Sequence, residues 1–187
     1  MPQYILETRG RVTLGEKPGA GRMSFEPITW PDLDAFTQGY IEALFFTCEA
    51  PGVDRETFES ADHQEAMAAG AADGCLPGDA GFDDLSPGAL AAIMRDCAAF
   101  KAKAADLLQV AYDCPAPDQP GFDELRTCPD YDETQAGRDF WFTRNGHGVG
   151  FWDRGLGQVG ADLTALCGWR TDFPESDPYW QAGKVHV

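Results

Sequence analysis

The sequence predicts an α+β protein in which a small antiparallel β-sheet packs against about three helices, with long acidic loop insertions. Two short aromatic runs, FWFTR and VGFWDR, flank an Asn-Gly pair, which is the strongest short-range signal for a β-hairpin. The C-terminal segment YWQAGKVHV has the pattern of a second small hairpin around Ala182-Gly183. Apolar residues recur at helical spacing in three other segments, which supply the helical layer.

The helices are predicted from their start signals and apolar periodicity. The first covers 31–48, with Pro31 at its first position, and the longest begins at Ser86 and Pro87 and runs to about 111. A short helix is expected at 132–139 and a third long one at 157–168.

The domain organisation follows from the segments that lack this periodicity. Residues 1–22 are predicted to be an N-terminal extension with a strand at 3–14, and 23–187 a single α+β domain. Insertions are expected at about 50–82, with a short helix near 54–69, and at 114–131, which is rich in proline.

The aromatic hairpin is predicted to pair residues 140–144 with 149–154. Alternation would place Phe140 and Phe142 on one side and Trp141 and Thr143 on the other. Cross-strand packing then accounts for most of the aromatic density in this segment.

Acidic residues dominate the charge of the 187-residue chain, which carries a formal charge of −17 and has a pI near 4.3. Residues 30–100 contain only Arg55 and Arg95 as bases, whereas 134–171 are nearly neutral. Such a chain repels a phosphate backbone, so direct nucleic-acid binding is not expected. Two interpretations stay open: the acid serves solubility, or ordered carboxylates imitate phosphates and bind the basic groove of a nucleic-acid-handling protein.

The mimicry interpretation assigns binding to acidic residues near helix starts and loop surfaces. These candidate binding residues are Asp32, Asp34, Glu42, Asp54, Glu56, Glu59, Asp83 and Asp84.

The six cysteines form no Cys-x-x-Cys pair, and free thiols are expected. Cys48, Cys97 and Cys167 fall in apolar helical patterns that predict small buried side chains. A zinc site built from Cys114, Cys128 and His63 is an alternative, but its spacing matches no standard zinc motif. No metal and no cofactor are therefore expected.

The N-terminal residues lack the basic start and apolar stretch of a signal peptide, and no run is long enough to span a membrane. The sequence thus predicts a cytoplasmic protein without a membrane partner.

An enzymatic alternative centres on His147, with Asp153, Asp139 and Arg144 as further catalytic candidates. A histidine flanked by glycines at a hairpin tip is free to act as a general base, and Asp153 would orient it. No nucleophile elbow, phosphate-binding loop or HExxH motif accompanies it, however. Structural roles are the competing explanation for these residues: Asp153 pairs with Arg154 or caps the next helix, and Asp139 pairs with Arg144.

The aromatic strands offer another alternative, in which they stack nucleotide bases while Arg144 and Arg154 contact phosphate. The net negative charge of the chain opposes this interpretation.

The block DFWFTRNGHGVGFWDRGLG, together with TQGYIEALFFT and SPGALAAIMRDCAAF, resembles a family of small acidic accessory proteins of phage and prophage genomes. The resemblance implies no reaction and no catalytic residues. It favours an inhibitor that binds a host nucleic-acid-binding protein or effector complex, of the anti-CRISPR or anti-restriction type, over a small hydrolase or transferase. A structural or regulatory homodimer is a further alternative.

Overall fold

The computed structural model describes residues 27–72, 74–113 and 130–187, which belong to two units. The first unit ends at Leu33, and its described part is a 3₁₀ turn, Trp30–Asp32. There the Asp32 carboxylate accepts from the backbone N–H and the hydroxyl of Thr29, at 3.0 and 2.8 Å. The predicted strand at 3–14 and most of the insertion at 114–131 lie outside the described residues.

The second unit, Asp34–Val187, is mainly helical, so the α+β prediction is wrong. Its described helices are α1 (Ala35–Cys48), α2 (Arg55–Phe58), α3 (Ala61–Ala68), α4 (Pro87–Lys103), α5 (Ala105–Tyr112), α6 (Glu133–Arg144) and α7 (Gln158–Ala165). Its described strands are β1 (Glu49–Ala50) and β2 (Leu76–Pro77), which pair in parallel, and β3 (Tyr179–Gln181) and β4 (Lys184–His186), which pair antiparallel.

The predicted aromatic hairpin is instead the end of helix α6 and the turn after it. Asp132 caps the helix by accepting from the Gln135 N–H at 2.7 Å. Asn145-Gly146 ends it, because Gly146 takes a left-handed φ of +67° and the His147 N–H returns to the Phe142 carbonyl at 3.0 Å. This is a Schellman C-cap, which requires the same residue types as a tight hairpin turn.

The short helix predicted at 132–139 is present as the first part of α6, but the part from Phe140 onward lacks the periodicity that would have extended the prediction. Phe140, Trp141 and Phe142 are all buried although they are consecutive, because neighbouring elements surround the helix. A helix covered on every side shows no polar face, so its apolar run resembles a strand. VGFWDR, the expected partner strand, forms a 3₁₀ turn over Phe151–Asp153.

Helices α1 and α6 cross in backbone contact, and glycines make this approach possible. A Cβ on Gly137 would overlap the Phe36 carbonyl oxygen, and one on Gly39 would overlap the Thr134 carbonyl oxygen. Because glycine has no side chain, the two helix backbones can approach each other more closely here than they could with any other residue at these positions.

Around this crossing the core is largely aromatic. The ring of Phe100 on α4 stacks on Phe140 at 4.1 Å and on Phe151 at 5.7 Å, while Phe173 meets Phe140 edge-on at 5.4 Å. Phe36 of α1 completes the cluster, 5.9 Å from Phe140.

The remaining helices follow the sequence in part. The helix predicted at 31–48 is present from Ala35, and the one at 157–168 is present as α7. The long helix begins at Ser86 and Pro87 as predicted but divides at Ala104 into α4 and α5. The short helix predicted near 54–69 is present as the two helices α2 and α3. The rest of the 50–82 insertion is not the extended loop that was predicted, because Leu76 is buried and β2 pairs with β1.

The C-terminal hairpin is confirmed. Tyr179 pairs with His186, and the turn residues Ala182 and Gly183 have φ values of 52° and 72°, as a two-residue type I′ turn requires. Val185 is buried, and its carbonyl accepts from the Ser86 N–H at 2.9 Å, so the hairpin is fixed to the start of α4.

Candidate functional site

Two of the enzymatic candidates of the 139–154 block, Asp139 and Arg144, lie in separate buried polar clusters rather than in one catalytic group. The first surrounds Asp139, whose side chain is fully buried. Its carboxylate accepts from Arg154 Nε at 2.9 Å and from Tyr131 Oη and Gln135 Nε2 at 3.0 Å each. Burial raises the pKa of Asp139, and the hydrogen bonds from Arg154, Tyr131 and Gln135 oppose that rise.

The second cluster surrounds Arg144, which is only 4% exposed. Its Nη1 donates to the Tyr40 hydroxyl at 2.9 Å and to Asp96 at 3.2 Å, and its Nε donates to the Pro174 carbonyl at 2.8 Å. The guanidinium also lies 5.3 Å from the Phe140 ring centroid. Arg144 thus joins α1, α4 and α6 to the C-terminal segment. The predicted pair of Asp139 with Arg144 is not formed, because Asp139 pairs with Arg154 and Arg144 pairs with Asp96.

His147 contacts neither of these clusters. Its ring meets Phe142 edge-on at 5.8 Å and lies 6.4 Å from Trp141, which is the apolar contact that accompanies a Schellman cap. Burial lowers the pKa of His147. No carboxylate among the described residues accepts a hydrogen bond from its imidazole.

Asp153 has a local role in the turn after α6. Its carboxylate accepts from the Gly150 N–H at 3.0 Å and lies 3.8 Å from Arg154, so the expected pairing of these neighbours is present. Each of the four catalytic candidates therefore has a structural contact. Arg154 brings Asp139 and Asp153 together, whereas the contacts of His147 and Arg144 are with other residues.

Most of the predicted binding carboxylates also have partners inside the fold. Asp34 caps α1 and pairs with Lys101 at 2.9 Å, and Glu42 pairs with Arg138 at 2.7 Å. Burial works against ionisation of Asp34, but hydrogen bonds from Lys101 and Thr37 give it a lowered pKa. Asp83 is exposed, although the Lys184 ammonium donates to its backbone carbonyl at 2.8 Å.

Arg55 is a partner that the sequence did not single out, and it organises part of the acidic surface. Its guanidinium pairs with Asp84 at 3.0 Å and Asp79 at 3.2 Å, and it lies 5.3 Å from the centroid of the Trp180 ring. The Trp180 indole N–H in turn donates to Glu59 at 2.7 Å. These partners are far apart along the chain, so sequence spacing gave no signal for the cluster.

An exposed acidic surface remains on α2, α3 and the turn between them, and we call it the acidic helix pair. It comprises Asp54, Glu56, Glu59, Asp62 and Glu65, all of which are exposed. Asp54 caps α2, and hydrogen bonds from the Thr57 backbone and hydroxyl lower its pKa. Asp62 and Glu65 were not among the predicted binding residues, although they continue the three-residue spacing of Glu56 and Glu59.

Metal-binding geometry is not found within the described residues, where no group of three or more His, Cys, Asp or Glu side chains converges. His63 packs 4.9 Å from the Phe58 ring, while Cys114 and Cys128 of the zinc alternative lie outside the described residues. Cys48, Cys75, Cys97 and Cys167 are free thiols, and of these Cys97 is fully buried. No described helix is both long and apolar enough to cross a bilayer.

Comparison of the chain with protein-family models, with curated proteins and with solved structures finds no match.

Proposed function

We propose that this protein is a phage-type inhibitor whose acidic helix pair occupies the nucleic-acid-binding groove of a host complex, such as a CRISPR effector or a restriction system. The observation that supports this most directly is the position of Arg55. It is the one arginine or lysine within residues 54–65, and its guanidinium is directed to Asp79 and Asp84 instead of the helix-pair carboxylates.

The helix pair presents negative charge in a fixed arrangement. Asp54 and Ser60 cap the two helices, and Glu59 is held by the Trp180 indole at 2.7 Å. A carboxylate array that serves solubility needs no such order, whereas a mimic of phosphates benefits because preorganised groups lose less entropy on binding. Long-range attraction to a basic groove also speeds association.

The enzymatic alternative has no comparable support. His147 is accounted for by the C-cap of α6, and Asp139 and Arg144 by their buried partners. These contacts favour the acidic surface over His147 in our proposal.

A competition experiment tests the proposal. The immobilised full chain is incubated with nuclease-treated bacterial lysate, and the retained proteins are identified and then challenged with duplex DNA. Mimicry predicts that nucleic-acid-binding proteins are retained at low salt, that duplex DNA displaces them, and that retention falls steeply as salt shortens the range of the charges.

Matched variants locate the surface. E56Q/D62N/E65Q removes three charges from the acidic helix pair and is expected to abolish retention. D106N/E133Q/D162N removes three exposed charges on α5, α6 and α7 and is expected to retain the same proteins. Retention that DNA does not compete for, or that both variants reduce equally, contradicts the proposal.

A further inference from the structure

Two cysteines, Cys48 and Cys75, lie next to each other where the 50–82 segment returns to the end of helix α1. In the parallel pair, Glu49 of β1 is opposite Leu76 of β2, and a cysteine immediately precedes each of these residues. The Cys75 N–H donates to the Cys48 carbonyl at 2.8 Å, so the backbones of the two cysteines are in direct contact just before the paired strands. Neighbouring strands lie about 4.8 Å apart, within the ~4.4–6.8 Å Cα separation that a disulfide spans.

The backbone around the pair is held tightly. Gly74 has a φ of +82°, and a Cβ there would lie 2.6 Å from the Cα of Ala50. A Cβ on Gly78 would lie 2.6 Å from the Ala50 carbonyl oxygen, and the Gly78 N–H donates to the Val53 carbonyl at 2.7 Å. The two cysteines are therefore positioned by contacts on both sides of β2.

The two thiols differ in the direction of their pKa shifts. A hydrogen bond from the Cys75 thiol, assisted by the Thr47 hydroxyl 3.8 Å from Cys48 Sγ, lowers the pKa of Cys48. The same interaction, together with burial, raises the pKa of Cys75. Both residues are half-buried, so a small reagent has access. A thiol with a lowered pKa beside a second thiol is typical of reversible dithiol pairs.

The other described cysteines lack these features. Cys97 is fully buried on α4, and burial raises its pKa. Burial likewise raises the pKa of Cys167 to about 12. Neither is expected to react before Cys48.

We propose that Cys48 and Cys75 form a reversible intramolecular disulfide that closes the segment carrying α2 and α3. The oxidant is a low-molecular-weight disulfide of the glutathione class. The inference concerns a modification site and does not depend on the proposed inhibitory function.

The exchange proceeds in two balanced steps. The Cys48 thiolate attacks one sulfur of the oxidant, a Cys48–glutathione bond forms, and the oxidant's own S–S bond breaks to release one glutathione thiolate. The Cys75 thiol then gives its proton to solvent and attacks the Cys48 sulfur, forming the Cys48–Cys75 bond and releasing the second glutathione. The protein loses two electrons and two protons, and the oxidant becomes two glutathione molecules.

Peptide mapping of the full chain tests the proposal. The protein is equilibrated with mixtures of reduced and oxidised glutathione, the remaining thiols are alkylated after denaturation, and cross-linked peptides are identified by mass spectrometry. The expected product links Cys48 to Cys75 and is reversed by reductant. The oxidised protein is expected to melt about 5–10 °C higher than the reduced form, because the bond closes a segment of moderate length.

Single cysteine variants test which cysteine reacts first with the oxidant, and they provide a second measurement beside peptide mapping of the wild type. Cys75→Ser is expected to accumulate a Cys48–glutathione adduct, since nothing resolves it, whereas Cys48→Ser is expected to lose the cross-link altogether. Cys167→Ser should leave the cross-link unchanged. If both cysteines of the wild type remain alkylatable in oxidised glutathione, or if Cys48 links to another cysteine instead, the proposal is overturned.

Discussion

Gly137 determines how closely α6 approaches α1, because its missing side chain leaves room for the Phe36 carbonyl. Gly137→Ala is expected to destabilise the fold by about 3 kcal/mol or to prevent folding, since the overlap is with backbone and outweighs the ~1 kcal/mol helix-propensity gain of alanine. Urea denaturation measures the change.

The matched control for this prediction is Gly88→Ala in the first turn of α4. A Cβ at Gly88 would meet only Ser86 Oγ at 4.0 Å, so this variant is expected to be neutral or slightly more stable. If Gly137→Ala is as stable as Gly88→Ala, then the close crossing of α1 and α6 is not a feature of the folded protein.

Asp139 is the buried charge on which the second residue-scale prediction depends. Asp139→Asn keeps the shape of the side chain but removes the charge that Arg154 and Tyr131 contact. Breaking a buried ion pair from one side is expected to cost about 3 kcal/mol of stability. Urea denaturation compares it with Asp162→Asn, an exposed position bonded to Gln158 within one helix, for which a change within about 0.5 kcal/mol is expected. Equal effects of the two substitutions would mean that Asp139 is not buried among these partners.

At the scale of the element, the C-cap of α6 explains both Gly146 and His147. Gly146→Ala is expected to cost about 1 kcal/mol, because its φ of +67° is unfavourable for a residue with a Cβ. Gly148→Ala is the control, since a Cβ there meets nothing within 4 Å and its φ is not left-handed. Thermal unfolding of the two variants distinguishes the effects, and a cost at Gly148 equal to that at Gly146 would contradict the cap.

His147 supplies an apolar contact in that cap, so His147→Leu is expected to keep or raise stability at neutral pH. Burial lowers the pKa of His147 from its ordinary value of 6.5, so the folded chain takes up the proton less readily than the unfolded chain. The stability that neutral His147 contributes is therefore fully present above pH 6.5. It is lost as the pH falls from that value toward the lower pKa of His147 in the folded chain. Melting temperatures at pH 7.5 and 5.5 should show wild type losing more stability than His147→Leu, and parallel losses would contradict the argument.

Which elements the sequence predicts correctly depends on how local their signals are. Pro87 after Ser86 identified the start of α4, and apolar spacing identified α1, because caps and faces are read within one segment. The predicted start of α1 at Pro31 was wrong, since the helix begins at Ala35 after the Asp34 cap. The Asn-Gly pair was misassigned because a Schellman cap and a type I′ turn both need left-handed residues. Whether the Asn-Gly pair ends a helix or forms a hairpin turn depends on the tertiary packing around α6, which the local sequence does not show.

The candidate site was less predictable than the helices for the same physical reason. Arg138 pairs with Glu42 across 96 residues, and Trp180 reaches Glu59 across 121 residues. Charge counts identified an acidic surface at 30–100, but not which carboxylates the fold would neutralise. Two of the five carboxylates of the acidic helix pair, Asp62 and Glu65, were therefore missed.

For the whole molecule, a net charge of −17 implies self-repulsion that opposes the compact state. Added salt screens charges separated by more than about 10 Å at 0.1 M, whereas close pairs such as Arg154–Asp139, with a buried partner, are screened less. The melting temperature is therefore expected to rise by a few degrees, roughly 2–6 °C, between low salt and ~0.3 M sodium chloride. Differential scanning calorimetry measures the change.

The E56Q/D62N/E65Q variant separates repulsion from ion pairing at this scale. Removing three exposed charges from the acidic helix pair should raise the melting temperature at low salt and reduce its dependence on salt, because less repulsion remains to be screened. Repulsion is a property of the summed charge, so D106N/E133Q/D162N should reduce the salt dependence to a similar degree. A melting temperature that falls with added salt would mean that the ion pairs of the fold outweigh its net charge. Stability is thus expected to respond alike to both sets of substitutions, whereas binding is expected to respond only to the set on the acidic helix pair.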